Sequence, residues 1–499
     1  MPPSPSPAAN PAPAERFCLR LLAASGLGAA SVAAYAPLAW FPLLWLTLAG
    51  LFLLLRGAAS TRQALLLGWA FGGGLFLVGV SWVYVSLSVF GGMPFWLAGP
   101  ATVLFCAVLA SIPGGVAWLF RRWLPAGGWA QILSFAALWG LGEWLRGWFG
   151  TGFPWLAAGY SQSPPSPLTG YAPLLGVYGL SLVTAALAGL LAVAVTDRRP
   201  LAALAAVAVL VVGGGMRLPA WTEPAGEPIS VALVQGNVPQ DMKFLPENFI
   251  RSLRLYRDLV AAHPAQLTVL PETAVPAFLE QLPAEYVDEM KMLARRRGGD
   301  LIFGAATGAG ERYWNSAVSI GVSPLQVYSK THLVPFGEFI PPGFAWFMAM
   351  ARIPMSEFSR GPAIQPPLAV AGRQVAANIC YEDAFGEEII RALPAAGILV
   401  NLSNTAWFGD SLAQPQHLQI ARLRALETGR PMLRATNTGM TAVVAPDGTI
   451  SAVLPPFTTG VLTADVRAYS GLTPYARWGN WAFLLLAGCL LLVALRRRS

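Results

Sequence analysis

Long apolar runs separated by short polar loops fill the chain up to residue 216, and a further run follows residue 477. An α-helix needs about 20 residues to cross the ~30 Å hydrocarbon core of a membrane. The pattern predicts eight membrane-spanning helices, the first and seventh being the weakest, at residues 19–36, 38–55, 64–90, 95–120, 129–147, 172–196, 200–216 and 478–495. Residues 1–18, rich in proline and alanine, are predicted to be a disordered tail.

Residues 217–477 have a different pattern, in which short β-rich runs alternate with amphipathic stretches. The predicted strands are Ile229–Gln235, Leu267–Leu270, Leu301–Phe303, Ala317–Ile320, Gln326–Tyr328, Val375–Ile379 and Ile398–Leu402. The predicted helices are Glu247–Ala262, Ala284–Arg297 and a third near Gln416–Glu427. Asp447-Gly448 predicts a hairpin turn. This region is therefore predicted to be one α/β domain.

Composition and charge place that domain relative to a membrane. Hydrophobic residues make up 55% of the chain, charged residues only 12%, and the mean hydropathy is +0.53. Arginines occupy every alternate loop, whereas the loops near 91–94 and 148–171 carry no lysine or arginine. This pattern predicts both termini in the cytoplasm and residues 217–477 outside it. The net charge of +8 then requires no nucleic-acid partner.

Cys380 is the only cysteine in residues 217–477, so it has no partner there for a disulfide. Buried free cysteines commonly pack as small apolar groups, and by position alone an inert thiol is the simpler interpretation. Two motifs favour a nucleophile instead. Glu272 ends one predicted strand in the run 270–276, and Lys330 follows another in the run 328–338. A base, a cation and a thiol at strand ends are the groups that acyl transfer through a thioester needs.

Each of these groups has a physical role in such a reaction. Glu272 is predicted to take the proton of the thiol, and Lys330 to favour the thiolate. Lys330 and the backbone amide of Tyr381 would stabilise the negative charge that develops on the attacked carbonyl oxygen.

Three other groups of residues have competing interpretations. His332 could pair with Cys380 as a Cys-His dyad, but is predicted to be a loop-anchoring residue. Glu143 and Arg146 are predicted to pair with each other along one helix in preference to a substrate role. The chain's three histidines are scattered, which predicts no metal site.

The Pro-Glu, Tyr-Ser-Lys and Cys-Tyr-Glu motifs, in this order, resemble the Glu-Lys-Cys triad of the nitrilase (carbon–nitrogen hydrolase) superfamily. Placed between membrane spans, they resemble its membrane-embedded branch, which N-acylates lipoproteins. Further stretches resemble the same branch, at residues 143–147, 152–155, 234–240, 401–409 and 434–439. The resemblance implies an α-β-β-α sandwich joined to a multi-span helical bundle.

The resemblance also implies roles for individual residues. Cys380 would be the acylated nucleophile, Glu272 the general base and Lys330 the oxyanion stabiliser. The implied supporting residues are Glu338, Tyr381, Glu382 and Phe244. Phe244 stands where the branch commonly has a tryptophan, so the indole N–H is lost while an aromatic face is kept.

The implied acyl donor is a membrane phospholipid, and the implied acceptor is the free α-amino group of a diacylglyceryl-cysteine that begins an apolipoprotein. The resemblance implies a reaction without a cofactor, on the periplasmic side of a bacterial inner membrane. The apolar segment 342–358, with Trp346 and Phe347, is predicted to be a lid. Two alternatives remain: a membrane-anchored nitrilase or amidase that hydrolyses small amides, and a transporter with an extracytoplasmic binding domain.

Overall fold

The computed structural model describes residues 13–123, 127–240, 246–341 and 357–496. A helical bundle precedes a layered α/β domain, and one more helix packs back on the bundle. The bundle helices are α1 (Pro13–Ser31), α2 (Phe41–Arg56), α3 (Thr61–Gly79), α4 (Phe95–Arg122), α5 (Gly128–Trp148), α6 (Ala172–Thr196) and α7 (Pro200–Gly215). The later helices are α8 (Pro246–Ala262), α9 (Ala284–Arg295), α10 (Ala413–Thr428) and α11 (Trp481–Arg496).

The apolar helices make this a membrane protein, but the prediction of eight spans is not confirmed. Within the described residues, Ala14–Ala34, Phe95–Arg122 and Pro167–Thr196 are long and apolar enough to cross a membrane. Thr61–Gly79 together with Val83–Phe90 raises the number to four if that bent pair is one span. Helices α2, α7 and α11 are apolar but have 16 residues each. A helix of that length covers about 24 Å, less than a hydrocarbon core.

One prediction at the start of the chain is wrong. Helix α1 spans Pro13–Ser31, so residues 13–18 are helical and not part of a disordered tail. Glu15, in its first described turn, carries a negative charge of the sign that is favourable near a helix N-terminus. The predicted span 64–90 is helical, but it bends by 58° between α3 and the short helices that follow it. At the bend, the carbonyl of Gly79 accepts a hydrogen bond from Gln416 of the α/β domain.

Two six-stranded sheets form the α/β domain within the described residues. The first has the order β12-β1-β2-β3-β4-β5, and the second has the order β11-β10-β9-β8-β7-β6. The strands are β1 (Thr222–Gln235), β2 (Leu267–Val269), β3 (Asp300–Ala309), β4 (Arg312–Gly321), β5 (Gln326–Ser329), β6 (Leu368–Val370), β7 (Arg373–Ile379), β8 (Ile398–Ser403), β9 (Met432–Thr436), β10 (Ala442–Val444), β11 (Ile450–Val453) and β12 (Gly460–Gly471).

The predicted strands and the predicted hairpin are confirmed, but β6, β9 and β12 were not predicted. Strand β6 has only three residues, too few for a visible alternation. A central arginine, Arg434, interrupts the apolar run of β9. Strand β12 carries Asp465 and Arg467 and lies at the edge of its sheet, where one flank needs no partner strand.

The layers of the domain are those of an α-β-β-α sandwich, which confirms the expected fold. Apolar side chains of both sheets form one core between them, including Val231, Leu233, Val269, Ile398, Val400 and Leu433. Helices α8 and α9 pack on the outer face of the first sheet, and α10 packs on the outer face of the second.

Helix α10 also joins the domain to the bundle. Its residues Leu418, Ala421 and Ala425 pack on the second sheet, whereas Ile420, Leu423 and Leu426 belong to the apolar core of the bundle. A helix that buries two opposite sides has no single apolar face. The side chain of Gln416 accepts a hydrogen bond from the indole of Trp155 at 2.7 Å. The second sheet is therefore held against the loop that follows α5.

Candidate active site

The structure brings Glu272, Lys330 and Cys380 to one rim of the sandwich. Glu272 lies three residues beyond β2 and Lys330 directly follows β5, both in the first sheet. Cys380 directly follows β7 of the second sheet. The Nζ atom of Lys330 is 3.5 Å from a carboxylate oxygen of Glu272, and both charges act on the Cys380 thiol. All three side chains are buried.

A compact cluster of polar side chains fixes the two carboxylates and the lysine. Lys330 Nζ lies 2.9 Å from the carboxylate of Glu338. Asn315 donates from Nδ2 to Glu272 and to Glu338, at 2.8 Å in each case. The backbone amide of Asn404 donates to the other oxygen of Glu272 at 2.8 Å. Glu338 therefore holds Lys330, the arrangement that the resemblance implies.

Asn315 is a site residue that the sequence did not reveal. It lies in β4, two residues before the predicted start of that strand at Ala317. The backbone amide of Lys330 donates to the Asn315 carbonyl at 2.8 Å. The signal that could have revealed it is an asparagine within β4, the strand that pairs with β5, which Lys330 follows.

The charges around Cys380 set the protonation states of the site. Burial acts to lower the pKa of Lys330, but the carboxylates of Glu338 and Glu272 outweigh it and raise that pKa. Lys330 is therefore a fixed cation. Burial, followed by the charge of Glu272, raises the pKa of the Cys380 thiol. Lys330 favours the thiolate, as predicted, but its effect is smaller. The resting thiol is thus protonated, and a base must take its proton as the sulfur reacts.

The backbone at Cys380 turns sharply, with φ = 53°, a region that costs a non-glycine residue energy. The turn opens a short 3₁₀-helix, Cys380–Ala384. The first amides of a helix have no acceptor within the helix, so the Tyr381 N–H lies in a segment that presents donors. This is consistent with the predicted use of that amide for an oxyanion.

Glu382 connects the Cys380 turn to the segment that carries Lys330. One carboxylate oxygen accepts the backbone N–H groups of Thr331 at 2.6 Å and His332 at 3.0 Å. The other accepts the N–H of Ile379 at 2.7 Å and the hydroxyl of Tyr328 at 3.0 Å. Burial raises the pKa of Glu382 to about 7. Its position makes it a link between the two sheets at the site.

A second buried network lies under the Cys380 turn and was not predicted. Asp383 accepts from His417 Nε2 at 2.9 Å and from Arg434 at 2.8 Å. Arg434 also donates to the side chain of Asn401 at 2.7 Å. Asn401 in turn donates to the Cys380 carbonyl at 3.1 Å. The network therefore supports the backbone of the turn.

His332 is a loop anchor, as predicted, and does not form a dyad with Cys380. Its Nε2 lies 2.9 Å from the carbonyl of Thr151 and its Nδ1 lies 3.2 Å from Glu388. Both ring nitrogens therefore face partners other than the thiol. The ring stacks on Phe385, with centroids 3.5 Å apart.

The predicted pairing of Glu143 with Arg146 is wrong. In the described part of the chain these two side chains form no ion pair with each other. Glu143 accepts the amide of Ala158 at 3.0 Å, and Arg146 donates to the carbonyl of Trp155 at 2.7 Å. Both side chains instead hold the backbone of the loop beyond α5, because its unpaired polar groups are buried.

Three of the predicted site residues, Phe244, Trp346 and Phe347, lie outside the described residues. Among the residues that are described, no cluster of three or more histidine, cysteine, aspartate or glutamate side chains could hold a metal ion.

The sandwich, with a cysteine, a lysine and two glutamates at one rim, defines a protein of the carbon–nitrogen hydrolase class. The model of the carbon–nitrogen hydrolase family matches residues 230–475. A second family model, the N-terminal domain of apolipoprotein N-acyltransferase, matches residues 27–190. The chain thus combines that class of domain with a characteristic membrane bundle.

Whole-chain relatives specify the family further. The chain is 50% identical to the apolipoprotein N-acyltransferase of Ralstonia nicotianae, over 91% of this chain and 88% of that protein. It is 48% identical to the enzyme of the same name from Nitrosomonas europaea, over 95% of this chain and 96% of that one. The Chromobacterium violaceum protein, also 48% identical, covers 97% of this chain. The chain belongs to the apolipoprotein N-acyltransferase family.

Proposed function

We propose that the protein transfers a fatty acyl chain from a membrane phospholipid to the α-amino group of the diacylglyceryl-cysteine that begins an apolipoprotein. The acyl chain is carried on Cys380 as a thioester. One observation carries this proposal: Glu272 and Lys330 converge on the Cys380 turn, and that turn lies against the membrane bundle. The names of the relatives supply the acceptor and the type of transfer.

The first half-reaction acylates the thiol. Glu272 takes the proton of Cys380 as the sulfur bonds to the ester carbon of the phospholipid. Lys330 and the Tyr381 amide stabilise the oxyanion. The ester C–O bond then breaks, Glu272 returns the proton to the leaving oxygen, and the lysophospholipid departs.

The second half-reaction moves the chain to nitrogen. The neutral α-amine of the apolipoprotein attacks the thioester carbon, and the same oxyanion position is used again. Glu272 accepts a proton from the amine as the C–N bond forms, and the thiolate that leaves recovers a proton. The two substrates therefore use one site in turn, which is ping-pong kinetics.

Water must be excluded between the two steps, because a thioester beside a general base is prone to hydrolysis. We assign this task to the apolar segment 342–358, with Trp346 and Phe347 as its central aromatics. Phe244 is assigned stacking or lipid contact, the roles that an aromatic face without an indole N–H can still fill.

The proposed topology has eight spans, with helices between 19 and 216, the catalytic domain at 217–477 and the last span from 478. Both termini are cytoplasmic and the catalytic domain is periplasmic. Four basic groups support it, because they gather at one end of the bundle. Arg20 and Arg121 donate to the carbonyls of Gly57 and Ala58, and Arg56 pairs with Asp197 at 3.1 Å. Arg122 is adjacent to Arg121.

The test is to trap the intermediate. Purified protein is incubated with phospholipid, quenched in acid and analysed by mass spectrometry of its peptides. We expect the fatty acyl chain on the peptide that contains Cys380, and none in Cys380→Ser, because a serine hydroxyl is far less acidic than a thiol. Cys106→Ser is the control for a buried cysteine outside the α/β domain. Acyl transfer that persists in Cys380→Ser would remove this thiol from the mechanism.

A further inference from the structure

The loop that follows α5 meets the active site at two consecutive backbone carbonyls. The carbonyl of Thr151 accepts from His332 Nε2 at 2.9 Å, and the carbonyl of Gly152 accepts from the hydroxyl of Tyr381 at 3.0 Å. His332 lies two residues after Lys330, and Tyr381 directly follows Cys380. The dipeptide Thr151-Gly152 therefore hydrogen-bonds to residues that are close in sequence to the nucleophile and to the cation.

Two buried charged side chains fix this loop from the bundle side. Arg146 donates to the carbonyls of Phe153 and Trp155, and Glu143 accepts the amide of Ala158 with both carboxylate oxygens. Charged side chains inside a membrane bundle are costly and usually have a function. Their common partner here is the backbone of the loop, so α5 determines where the two carbonyls lie.

The contact between the loop and the α/β domain has little freedom. Gly152 has φ = 77°, and a Cβ there would meet the Gly147 carbonyl and lie 3.0 Å from the ring of Phe385. His332 stacks on that same ring, and its two nitrogens face a carbonyl and a carboxylate. Any shift of the loop thus breaks a bond near Lys330 or near Cys380.

We propose that the backbone carbonyls of Thr151 and Gly152 position the catalytic groups. His332 is the positioning residue that links the loop to Lys330. Tyr381 links the same loop to Cys380. This inference rests on the proposed function, since it takes Cys380 and Lys330 as the reacting groups. The membrane bundle would then affect the rate of Cys380 acylation, in addition to binding lipid. Loss of either bond slows attack on every acyl donor, including a small ester that needs no lipid site.

The experiment uses the full-length protein in detergent micelles and two acyl donors, a phospholipid and p-nitrophenyl butyrate. The first turnover is timed for each donor; with the ester, sulfur bonds to the acyl carbon, p-nitrophenolate leaves and Glu272 takes the thiol proton. Tyr381→Phe removes one hydroxyl. His332→Phe keeps a ring on Phe385 and removes both hydrogen bonds. Tyr171→Phe is the matched control, because it deletes an equivalent bond to the carbonyl of Val209 within the bundle.

We expect Tyr381→Phe and His332→Phe each to slow acylation by about 5- to 10-fold with both donors, the loss typical of one or two hydrogen bonds. The phospholipid concentration that gives half of the maximal first-turnover rate should not change, and the control should match the unmodified protein. The double variant should lose less than the product of the single losses, because both bonds act through one dipeptide.

Two outcomes would overturn the inference. Slowing with phospholipid alone would assign the loop to lipid binding, and unchanged rates with both donors would remove it from the chemistry. Cys380→Ser, run alongside, separates this from failure of the proposed function. A burst of p-nitrophenol that survives in Cys380→Ser would contradict the thioester itself.

Discussion

Gly304→Ala tests how accurately Glu272 must be placed. Gly304 lies in β3, beside the turn that carries Glu272, and no side chain separates the two. A Cβ at this position would lie 2.7 Å from the Cα of Glu272 and would also meet the amide of Thr273 and the carbonyl of Pro271. The Gly304 amide donates to the Pro271 carbonyl at 3.2 Å, so strand and turn are joined directly.

The size of the displacement follows from these distances. Ordinary van der Waals contact of a Cβ begins at 3.4 Å, so the Cα of Glu272 must move by about 0.7 Å if the strand stays in place. Strand β3 is paired on both sides, with β2 and β4, and the turn is therefore the part that yields. A misplacement of about 1 Å at a catalytic group can cost 10²-fold in rate. We expect acylation of Cys380 to slow by about 10- to 100-fold.

The assay is single-turnover formation of the thioester with phospholipid, followed by quenching and mass spectrometry. Gly308→Ala is the matched control on the same strand, because a Cβ there would meet only the ring of Phe278 at 3.5 Å and a carbonyl at 3.8 Å. The control should acylate at the unmodified rate, and both variants should keep their expression and insertion. A Gly304→Ala protein that acylates within about twofold of the unmodified rate would refute the argument that Glu272 is the base and needs this position.

Three further predictions follow from the carboxylates of the site. Glu382→Gln should slow acylation by at least about 5-fold. Each oxygen of Glu382 accepts a backbone N–H, so the NH₂ group of the new glutamine faces one of these donors in either orientation, and at least one buried donor loses its acceptor. Single-turnover rates measure this effect, with the exposed Glu223→Gln as the control. Glu272→Gln keeps the shape of the side chain and removes the base, so acylation should fall by about 10²- to 10⁴-fold, and an unchanged rate would assign the base elsewhere. Burial raises the pKa of Glu382 to about 7, above the ~4.3 of an unfolded chain, so the folded state binds more protons between those values and its stability falls as pH rises through that window. The Tm in detergent should therefore decrease from about pH 5 to 7, and Glu382→Gln should flatten that slope.

The parts of the site that could be predicted are those with a local signal. Glu272, Lys330 and Cys380 each follow an apolar strand and precede a break, and such a pattern is visible within about ten residues of sequence. The strands that position them were predicted for the same reason. The eight apolar runs also coincide with helices, although the number of spans rests on length and stays a proposal.

The parts that could not be predicted depend on the order of the strands and on the packing of the domain against the bundle. Asp383 and Arg434 are 51 residues apart and meet only because β9 lies beside β8 in the second sheet. The hydrogen bond from Tyr381 to Gly152 joins residues 229 positions apart, and a pattern of apolar and polar residues cannot predict such a contact. Glu143 and Arg146 have the spacing of an intrahelical pair, but both side chains instead hydrogen-bond to the buried backbone of the loop beyond α5.

The most direct test of the central claim is a two-step transfer. The protein is incubated with a phospholipid that carries a labelled acyl chain, the excess donor is removed, and a diacylglyceryl peptide with a free amino terminus is then added. We predict that the label leaves the protein and appears on the α-amino group of the peptide with no donor present. Label that stays on the protein, or that is released only as free fatty acid, would contradict a thioester on Cys380 as the intermediate of N-acylation.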